Sequence, residues 1–141
     1  MEPPRTILDS KLYVAPSTIP AAGNGLFARR KIKTGDYIGD YTGEKLPLAA
    51  REDKSRDRDY FVETMDGFII DGKDMNNKMR WINDPRHSKH LLNAEFQQRG
   101  DGTVSVRATR IIPKDREIFI CYGDMYWKAA DQERLKKWLS Y

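Results

Sequence analysis

The chain has 141 residues, 39% of them hydrophobic, which suits one compact domain with a modest core, since two domains would each bury too little surface. No run of about twenty apolar residues could span a bilayer, and residues 1–5 lack the charged and apolar parts of a secretory signal, so we expect a soluble, intracellular protein. Cys121 is the only cysteine, which excludes an internal disulfide and a cysteine-built zinc cluster, and the net charge of +4 from 25 basic and 21 acidic side chains gives only a mild preference for anionic partners.

Short strands separated by frequent turns are predicted along most of the chain. β-Branched and aromatic residues gather in short runs, and Gly, Pro and Asp mark the turns between them. Between the second and third strands, residues 48–54 have the composition of a short, very polar surface helix. The predicted strands are Gly25–Arg29, Tyr37–Tyr41, Tyr60–Thr64, Phe68–Asp71, Ala94–Gln97, Val104–Ile111 and Glu117–Tyr122.

The end of the chain returns to helical spacing. Leu135, Trp138 and Leu139 recur at i, i+3 and i+4, which places their side chains on one face of a helix. We expect that face to dock onto the domain.

Two motifs in the first third of the chain allow two interpretations each. In Ala22-Gly23-Asn24-Gly25 the missing Cβ atoms permit close approach of the backbone to a bound group, but the same residues also make a simple tight turn. The motif is not the phosphate loop of a dinucleotide fold, because a strand follows where a helix is required. In Tyr41-Thr42-Gly43-Glu44, the tyrosine either is a buried strand aromatic whose hydroxyl finds a partner, or lines a channel.

Two later motifs carry more chemistry. Arg80-Trp81-Ile82-Asn83-Asp84 sets a guanidinium, an indole and a carboxamide around one isoleucine, which suits a polar, partly aromatic small molecule as well as it suits a structural role. Residues 117–124 form an alternating apolar run that ends in a tyrosine, a glycine and an acid. A strand that ends this way can present the Tyr122 phenol at a site instead of burying it.

The order of these motifs resembles that of the SET-domain protein lysine methyltransferases. The similarity extends over about residues 11–128. In its compact size the chain most resembles the small stand-alone SET proteins, among them viral ones, that lack flanking zinc modules. It implies a single SET domain over residues 1–141, with 129–141 as a helical tail. The matching motifs are Gly23-Asn24-Gly25, Tyr41-Thr42-Gly43, Arg80-Trp81-Ile82-Asn83-Asp84-Pro85 and Cys121-Tyr122-Gly123.

The resemblance implies a mainly β fold of the β+α class. In that fold, short curved sheets surround a knot-like threading of the C-terminal segment, and a C-terminal helix follows. S-adenosylmethionine enters from one face and the substrate lysine from the other. The backbone around the first motif holds the methionine end of the cofactor, and the backbone at Asp84 meets the adenine. The cofactor-binding residues that the resemblance implies are Gly23, Asn24, Gly25, Leu26, Tyr60, Arg80, Asn83, Asp84, Tyr122 and Trp127.

The resemblance also implies a catalytic role for Tyr122, whose hydroxyl aligns the lysine amine for in-line methyl transfer. Family members commonly carry an aromatic residue two positions earlier, where this chain has Ile120, so the number of methyl groups added is left open. Trp127 takes the place of the absent zinc-bound lid over the cofactor. The implied substrate-binding residues are Tyr41, Phe96, Ile120 and Tyr126, and core packing is an equal alternative for Phe96 and Ile120.

The chain departs from the family pattern at three positions. Asp84 and Pro85 replace the usual histidine and serine, and Cys121 replaces the usual aspartate. The following segment, 86–92, is longer than the family's link and contains His87 and His90. Two histidines without a nearby carboxylate or thiolate are more often solvated, so no metal is expected.

Three hypotheses remain from the sequence. The first is an active protein lysine methyltransferase that acts on a histone tail or another lysine-containing protein, in contact with the nucleosome, in the nucleus or, for a viral protein, the host nucleus. The second is a catalytically inactive SET-like peptide-binding module, suggested by Asp84, Pro85 and Cys121. The third is a small basic nucleic-acid-binding β domain. Pairing into a homodimer is an open possibility, because a second copy could complete a site that lacks a lid.

Overall fold

The computed structural model describes residues 4–86 and 88–122 and has a mostly β architecture with short 3-10 helices. Within these residues, no helix is long and apolar enough to cross a membrane. The 3-10 helices are Leu48–Glu52 and Lys78–Trp81. The strands are β1 (Thr6–Ile7), β2 (Leu12–Pro16), β3 (Asn24–Ala28), β4 (Tyr37–Asp40), β5 (Glu44–Pro47), β6 (Phe61–Glu63), β7 (Phe68–Asp71), β8 (Ala94–Gln98) and β9 (Val104–Ala108).

The strands form three antiparallel sheets of three strands each, in the orders β1-β2-β3, β4-β9-β8 and β5-β7-β6. The turn between β6 and β7 contains Gly67 with a φ of 85°, a left-handed conformation that glycine adopts without a steric penalty. The sheet β4-β9-β8 instead joins strands that are far apart in the sequence. The predicted mostly β class is therefore confirmed, with short sheets that the intervening segments bring together.

The segment 117–120 changes its partner at almost every residue. Glu117 bridges to Phe27 in an antiparallel sense, whereas Phe119 bridges to Asn83 in a parallel sense. The Ile118 N–H donates to the carbonyl of Leu26 at 2.8 Å. The prediction of a regular strand over Glu117–Tyr122 is wrong, because no single neighbouring strand provides a continuous ladder. The segment instead links the first sheet to the middle of the chain.

The core contains residues from all three sheets and from the final segment. Leu26 of β3, Ile69 of β7 and Val106 of β9 have no exposed surface, and neither has Ile118. Burial of this many apolar side chains from distant segments stabilises the arrangement of the sheets. The functional segments are therefore held by a common core.

Four predicted strands are confirmed with small shifts at their ends, and a fifth, Phe68–Asp71, has the predicted bounds. The strand predicted to run to Ile111 stops at Ala108, because Ile112 leaves the sheet to pair with Ile32. The polar insert is confirmed as a 3-10 helix without a buried residue. The sequence did not indicate β1, β2, β5 or the second 3-10 helix. The predicted tail helix, with Leu135, Trp138 and Leu139, lies outside the described residues.

The neighbours Ile111 and Ile112 provide a matched test of the core. Ile112 is fully buried, whereas Ile111 is 54% exposed. We expect Ile112→Ala to reduce the free energy of unfolding by about 2–5 kcal/mol because it leaves a cavity, and Ile111→Ala to change it by less than about 0.5 kcal/mol. Urea unfolding of both variants measures the difference. Equal losses would contradict this description of the core.

Candidate functional site

Glu117 is a buried carboxyl group at which three segments of the chain meet, and only 4% of the residue is exposed. Its Oε1 atom accepts hydrogen bonds from the Thr18 backbone N–H at 2.7 Å and the Thr18 hydroxyl at 2.6 Å. Its Oε2 atom accepts from the Ser17 hydroxyl at 2.8 Å and from the Asn83 amide at 3.2 Å. Both oxygens are thus satisfied, as a buried polar group requires, and the loop before β3 is tied to Asn83.

Gly25 makes room for this carboxyl group. A Cβ atom at Gly25 would lie 2.3 Å from Oε2 of Glu117 and 3.4 Å from Nδ2 of Asn83. The same Asn83 nitrogen donates to the backbone carbonyl of Asn24 at 3.0 Å. At this position, the group that approaches the glycine motif most closely belongs to the protein itself, and the Asn83 side chain is fixed against the start of β3.

A cavity of about 240 Å³ opens beside this cluster. Its walls come from the loop before β3, the end of the polar insert, the second 3-10 helix with the residues after it, and the end of the final segment. Five of the residues predicted to bind a cofactor meet here although they are far apart in the sequence. The lining residues are Ala22, Asn24, Asp59, Tyr60, Arg80, Trp81, Asn83 and Tyr122.

Arg80 is held between two aromatic rings at this cavity. Its guanidinium carbon lies 4.8 Å from the centre of the Tyr60 ring and 4.4 Å from that of the Trp81 ring. One terminal nitrogen contacts the sulfur of Met75 at 3.3 Å, which is a weak acceptor. Its buried Nε has no hydrogen-bond partner among the residues that the structure describes. A guanidinium placed in this way is suited to bind a carboxylate.

Tyr122 is half-buried and is held at two points. Its hydroxyl donates to the backbone carbonyl of Ile82. Its backbone N–H donates to Oδ2 of Asp84 at 2.9 Å, and Oδ1 of Asp84 accepts from the backbone N–H of Arg86 at 2.8 Å. The aspartate that replaces the family's usual histidine therefore fixes the main chain of Tyr122. The sequence did not indicate this contact.

Residues 23–123 match the SET domain family. The chain belongs to the SET-domain family. The fold is also similar to that of ctPRC2 in an autoinhibited conformation bound to S-adenosylmethionine, with a TM-score of 0.65 and 21% identity over 90% of this chain and 17% of that one. At this level of identity, the structural similarity shows the fold alone.

Two relatives are similar to this chain in amino-acid sequence. The histone-lysine N-methyltransferase MEDEA of Arabidopsis thaliana is 26% identical over 121 residues, which are 79% of this chain and 17% of MEDEA. PRDM6 of Homo sapiens is 27% identical over 127 residues, which are 84% of this chain and 21% of PRDM6. The SET domain described here thus spans about a fifth of the length of these relatives.

Three of the four predicted substrate residues, Tyr41, Phe96 and Ile120, lie in or beside the core of this SET domain. The Tyr41 hydroxyl donates to the backbone carbonyl of Tyr60 at 2.6 Å, and its ring meets Phe96 edge-on at 5.6 Å. Burial, with a smaller contribution from Asp71, raises the pKa of Tyr41 and keeps its phenol neutral. Ile120 is 1% exposed. None of Tyr41, Phe96 and Ile120 lines the cavity, and their substrate roles stay predictions.

Several predicted cofactor residues are placed away from the cavity surface. Leu26 has a fully buried side chain, so only its backbone could contact a ligand. Gly23 and Asp84 are adjacent to lining residues but do not line the cavity themselves. The predictions for Tyr126 and Trp127 concern residues outside the described part of the chain.

His90 stacks on Phe119 with their ring centres 4.9 Å apart. Within residues 4–86 and 88–122, no group of three or more His, Cys, Asp or Glu side chains could hold a metal ion. His87 lies outside these residues.

Sequence reasoning missed four contributors to the site. Ala22 and Trp81 were noted within motifs but not assigned to a ligand, and Asp59 gave no signal beyond its place at the end of the polar insert. Glu117 could have been found, because it is a lone acid in front of the apolar run Ile118-Phe119-Ile120 and a buried acid must obtain donors.

A substitution at Gly25 tests the close packing around Glu117. We expect Gly25→Ala to lower the free energy of unfolding by about 1–3 kcal/mol, because the new methyl group would overlap a carboxyl group that four hydrogen bonds hold in place. Gly100→Ala is the control, since a Cβ there meets no atom within 4 Å. The free energy of unfolding of this control should be unchanged or higher by up to about 1 kcal/mol. Chemical denaturation measures both, and similar values for the two would refute the proposed packing.

Proposed function

We propose that this SET domain is an S-adenosylmethionine-dependent protein lysine N-methyltransferase. The observation that carries the proposal is the convergence of Asn24, Tyr60, Arg80, Asn83 and Tyr122 on one cavity. These residues come from four separate segments, and the resemblance to the family implies a cofactor contact for each of them. Packing alone gives no reason for a guanidinium, a carboxamide and a phenol to face one cavity.

The cavity fits the amino-acid end of S-adenosylmethionine. Arg80 lines the cavity, and a carboxylate there would receive charge-assisted hydrogen bonds from the terminal nitrogens of its guanidinium. Asn83 and the backbone of Asn24 lie at the same wall. A volume of about 240 Å³ is slightly below the usual range for whole-ligand pockets, roughly 300–1,000 Å³, so we assign it to the methionine end. The backbone of 23–26 and of Asp84 completes the proposed contacts.

Bound S-adenosylmethionine supplies a methyl group on a cationic sulfonium. The residues of the chain then have to position a lysine amine and favour its neutral form, because an ammonium, with a reference pKa of about 10.4, has no lone pair. An apolar channel favours the neutral amine by desolvation. We assign this channel to Tyr41, Phe96, Ile120 and Tyr126. No dedicated base is needed if desolvation lowers the lysine pKa sufficiently.

Tyr122 is the proposed catalytic residue. Tyr122 lines the cavity, and the hydrogen bond from its hydroxyl to the Ile82 carbonyl restricts the position of the phenol oxygen. A hydroxyl fixed in this way can align an amine at the moment of transfer, which is catalysis by positioning and electrostatics. Asp84 contributes by holding the main chain of Tyr122.

The proposed substrate is a lysine in a histone tail. MEDEA, which matches 79% of the chain, is named as a histone-lysine N-methyltransferase. A histone substrate would place the protein in a nucleus, which we propose as its location. A homodimer stays a prediction.

A tyrosine substitution tests the proposed activity. We expect Tyr122→Phe to reduce methyl transfer from labelled S-adenosylmethionine to core histones by about 100-fold or more, because the aligning hydroxyl is lost. The measurement is incorporation of label into histones, with the methylated lysines identified by mass spectrometry.

Tyr13→Phe is the matched control, since it removes a hydroxyl that bonds to Asp115 and lies outside the cavity. Its activity should stay within about twofold of the unsubstituted protein. Transfer that is absent from the unsubstituted protein would favour the inactive peptide-binding module. Transfer that Tyr122→Phe leaves unchanged would rule out this role for the tyrosine.

Arg80 tests the proposed cofactor site independently of catalysis. We expect Arg80→Gln to raise the Kd for S-adenosylmethionine at least about tenfold, since hydrogen bonds to charged groups contribute about 1.5–3 kcal/mol. Arg99→Gln, at an exposed arginine, should leave the Kd unchanged. Titration calorimetry measures both, after unfolding has shown that each variant is folded. Equal Kd values for the two variants would show that the cofactor carboxylate does not bind to Arg80.

A further inference from the structure

Two loops lie side by side at the end of the first sheet that is opposite the cavity. The first loop, 29–36, follows β3, and the second, 107–116, includes the end of β9. Ile32 and Ile112 join them by two backbone hydrogen bonds, at 2.8 and 2.9 Å, and Gly35 N–H donates to the carbonyl of Ala108 at 2.8 Å. The side chains of the two loops therefore form one continuous surface.

This surface holds the excess positive charge of the chain. The two loops contain eight Lys or Arg and two Asp, a net charge of +6, whereas the whole chain has a net charge of +4. The remaining residues contain 17 basic and 19 acidic side chains and are slightly negative. The overall charge thus conceals a strong local asymmetry, which produces a positive potential over the loops.

Six of the eight cations are exposed and form no ion pair with any carboxylate among the described residues. Neither acid of the loops forms an ion pair with these six side chains among the described residues. Asp36 accepts from the backbone of Lys33 at 3.0 Å, and Asp115 pairs with Arg5 at 3.6 Å. We call these six side chains the basic face: Arg30, Lys31, Lys33, Arg110, Lys114 and Arg116.

A shallow cleft of about 330 Å³ lies at the edge of the basic face, between Lys11, Lys31 and Tyr37. Tyr37 is 42% exposed, and the cations of Lys11 and Arg107 each lie 5.9 Å from its ring centre. Asp36 also lines this cleft, and the Tyr37 hydroxyl bonds to Asp40, so the anion-binding part of this surface is the row of exposed cations beside the cleft.

The basic face is separate from the proposed cofactor cavity. Asn24, at one end of β3, lines the cavity, and Ala28, at the other end, leads directly into Arg29 and Arg30. Four residue steps along a strand span roughly 13 Å. No member of the basic face lines the cavity. A polyanion on these loops would therefore leave the cavity open.

We propose that the basic face binds the phosphate backbone of duplex DNA beside the histone substrate, an inference that rests on the proposed function. We choose DNA because its phosphates are negatively charged and the two loops carry a net charge of +6. A membrane surface fits less well, because Ile111 is the one large aliphatic side chain exposed on the loops. Single-stranded nucleic acid fits less well too, because Tyr37 is the one aromatic residue at this surface on which a base could stack.

The test is fluorescence anisotropy of a labelled DNA duplex of arbitrary sequence at several salt concentrations. We expect the triple variant Arg30→Gln, Lys33→Gln, Lys114→Gln to bind about tenfold or more weakly than the unsubstituted protein. The slope of log affinity against log salt should fall in magnitude by about 2.7, or 0.9 for each lost phosphate contact. All members of the triple lie outside the cavity, so methylation of an isolated histone peptide should be unchanged.

The control triple, Lys54→Gln, Lys73→Gln, Arg99→Gln, removes the same charge from exposed positions elsewhere. It should lose less than about threefold in affinity. Equal losses in both triples, or no DNA binding at low salt, would overturn the proposal. So would tighter binding at equal salt to vesicles that contain an anionic lipid. If the first triple variant loses DNA binding but even the unsubstituted protein methylates no peptide, the DNA-binding role of the basic face would stand and the proposed enzymatic activity would be rejected.

Discussion

The arrangement of the site depends on one buried carboxyl group. Glu117 obtains hydrogen-bond donors from Ser17, Thr18 and Asn83, and Gly25 leaves the space that it occupies. A buried acid without such donors would be strongly destabilising, so the first motif, the middle motif and the final segment have to assemble together. The cavity is a consequence of that assembly, because its walls belong to the same three parts of the chain and to the end of the polar insert.

Asn83 connects the proposed cofactor site to the proposed catalytic residue. Its side-chain amide donates to Glu117 and to the backbone carbonyl of Asn24, while its own backbone carbonyl accepts from the N–H of Ile120 at 3.1 Å, two residues before Tyr122. A displacement of this residue would therefore move both halves of the site. Asp84 adds a second connection, since its side chain binds the N–H of Tyr122. The departure from the family's usual histidine thus has a structural role in this chain.

Much of the fold could be predicted where local patterns and turn residues agree, as for Phe68–Asp71 after Gly67. β2 could not, because Leu12–Ala15 are all buried and their unbroken apolar run has no alternation. Glu117–Tyr122 has the composition of a strand, but its hydrogen-bond partners come from several distant segments, which no local pattern contains.

The cofactor residues were predicted from the order of the motifs, and the structure gathers Asn24, Tyr60, Arg80, Asn83 and Tyr122 at one cavity. The placement of Arg80 beside the rings of Tyr60 and Trp81 and the contribution of Asp59 depend on tertiary contacts and could not be predicted. The basic face was hidden for a related reason. The net charge is a sum over the whole chain, and it does not show that two basic loops, far apart in the sequence, are brought together by the pairing of Ile32 with Ile112.

The most direct test of the central claim is to titrate isotope-labelled protein with S-adenosylmethionine and to follow the backbone amide resonances by NMR. If the cavity beside Glu117 is the cofactor site, the largest shifts will occur at Asn24, Tyr60, Trp81 and Asn83. The absence of shifts at saturating cofactor would contradict the account. So would shifts confined to a different cavity, of about 390 Å³, which Tyr37 and Lys78 help to line.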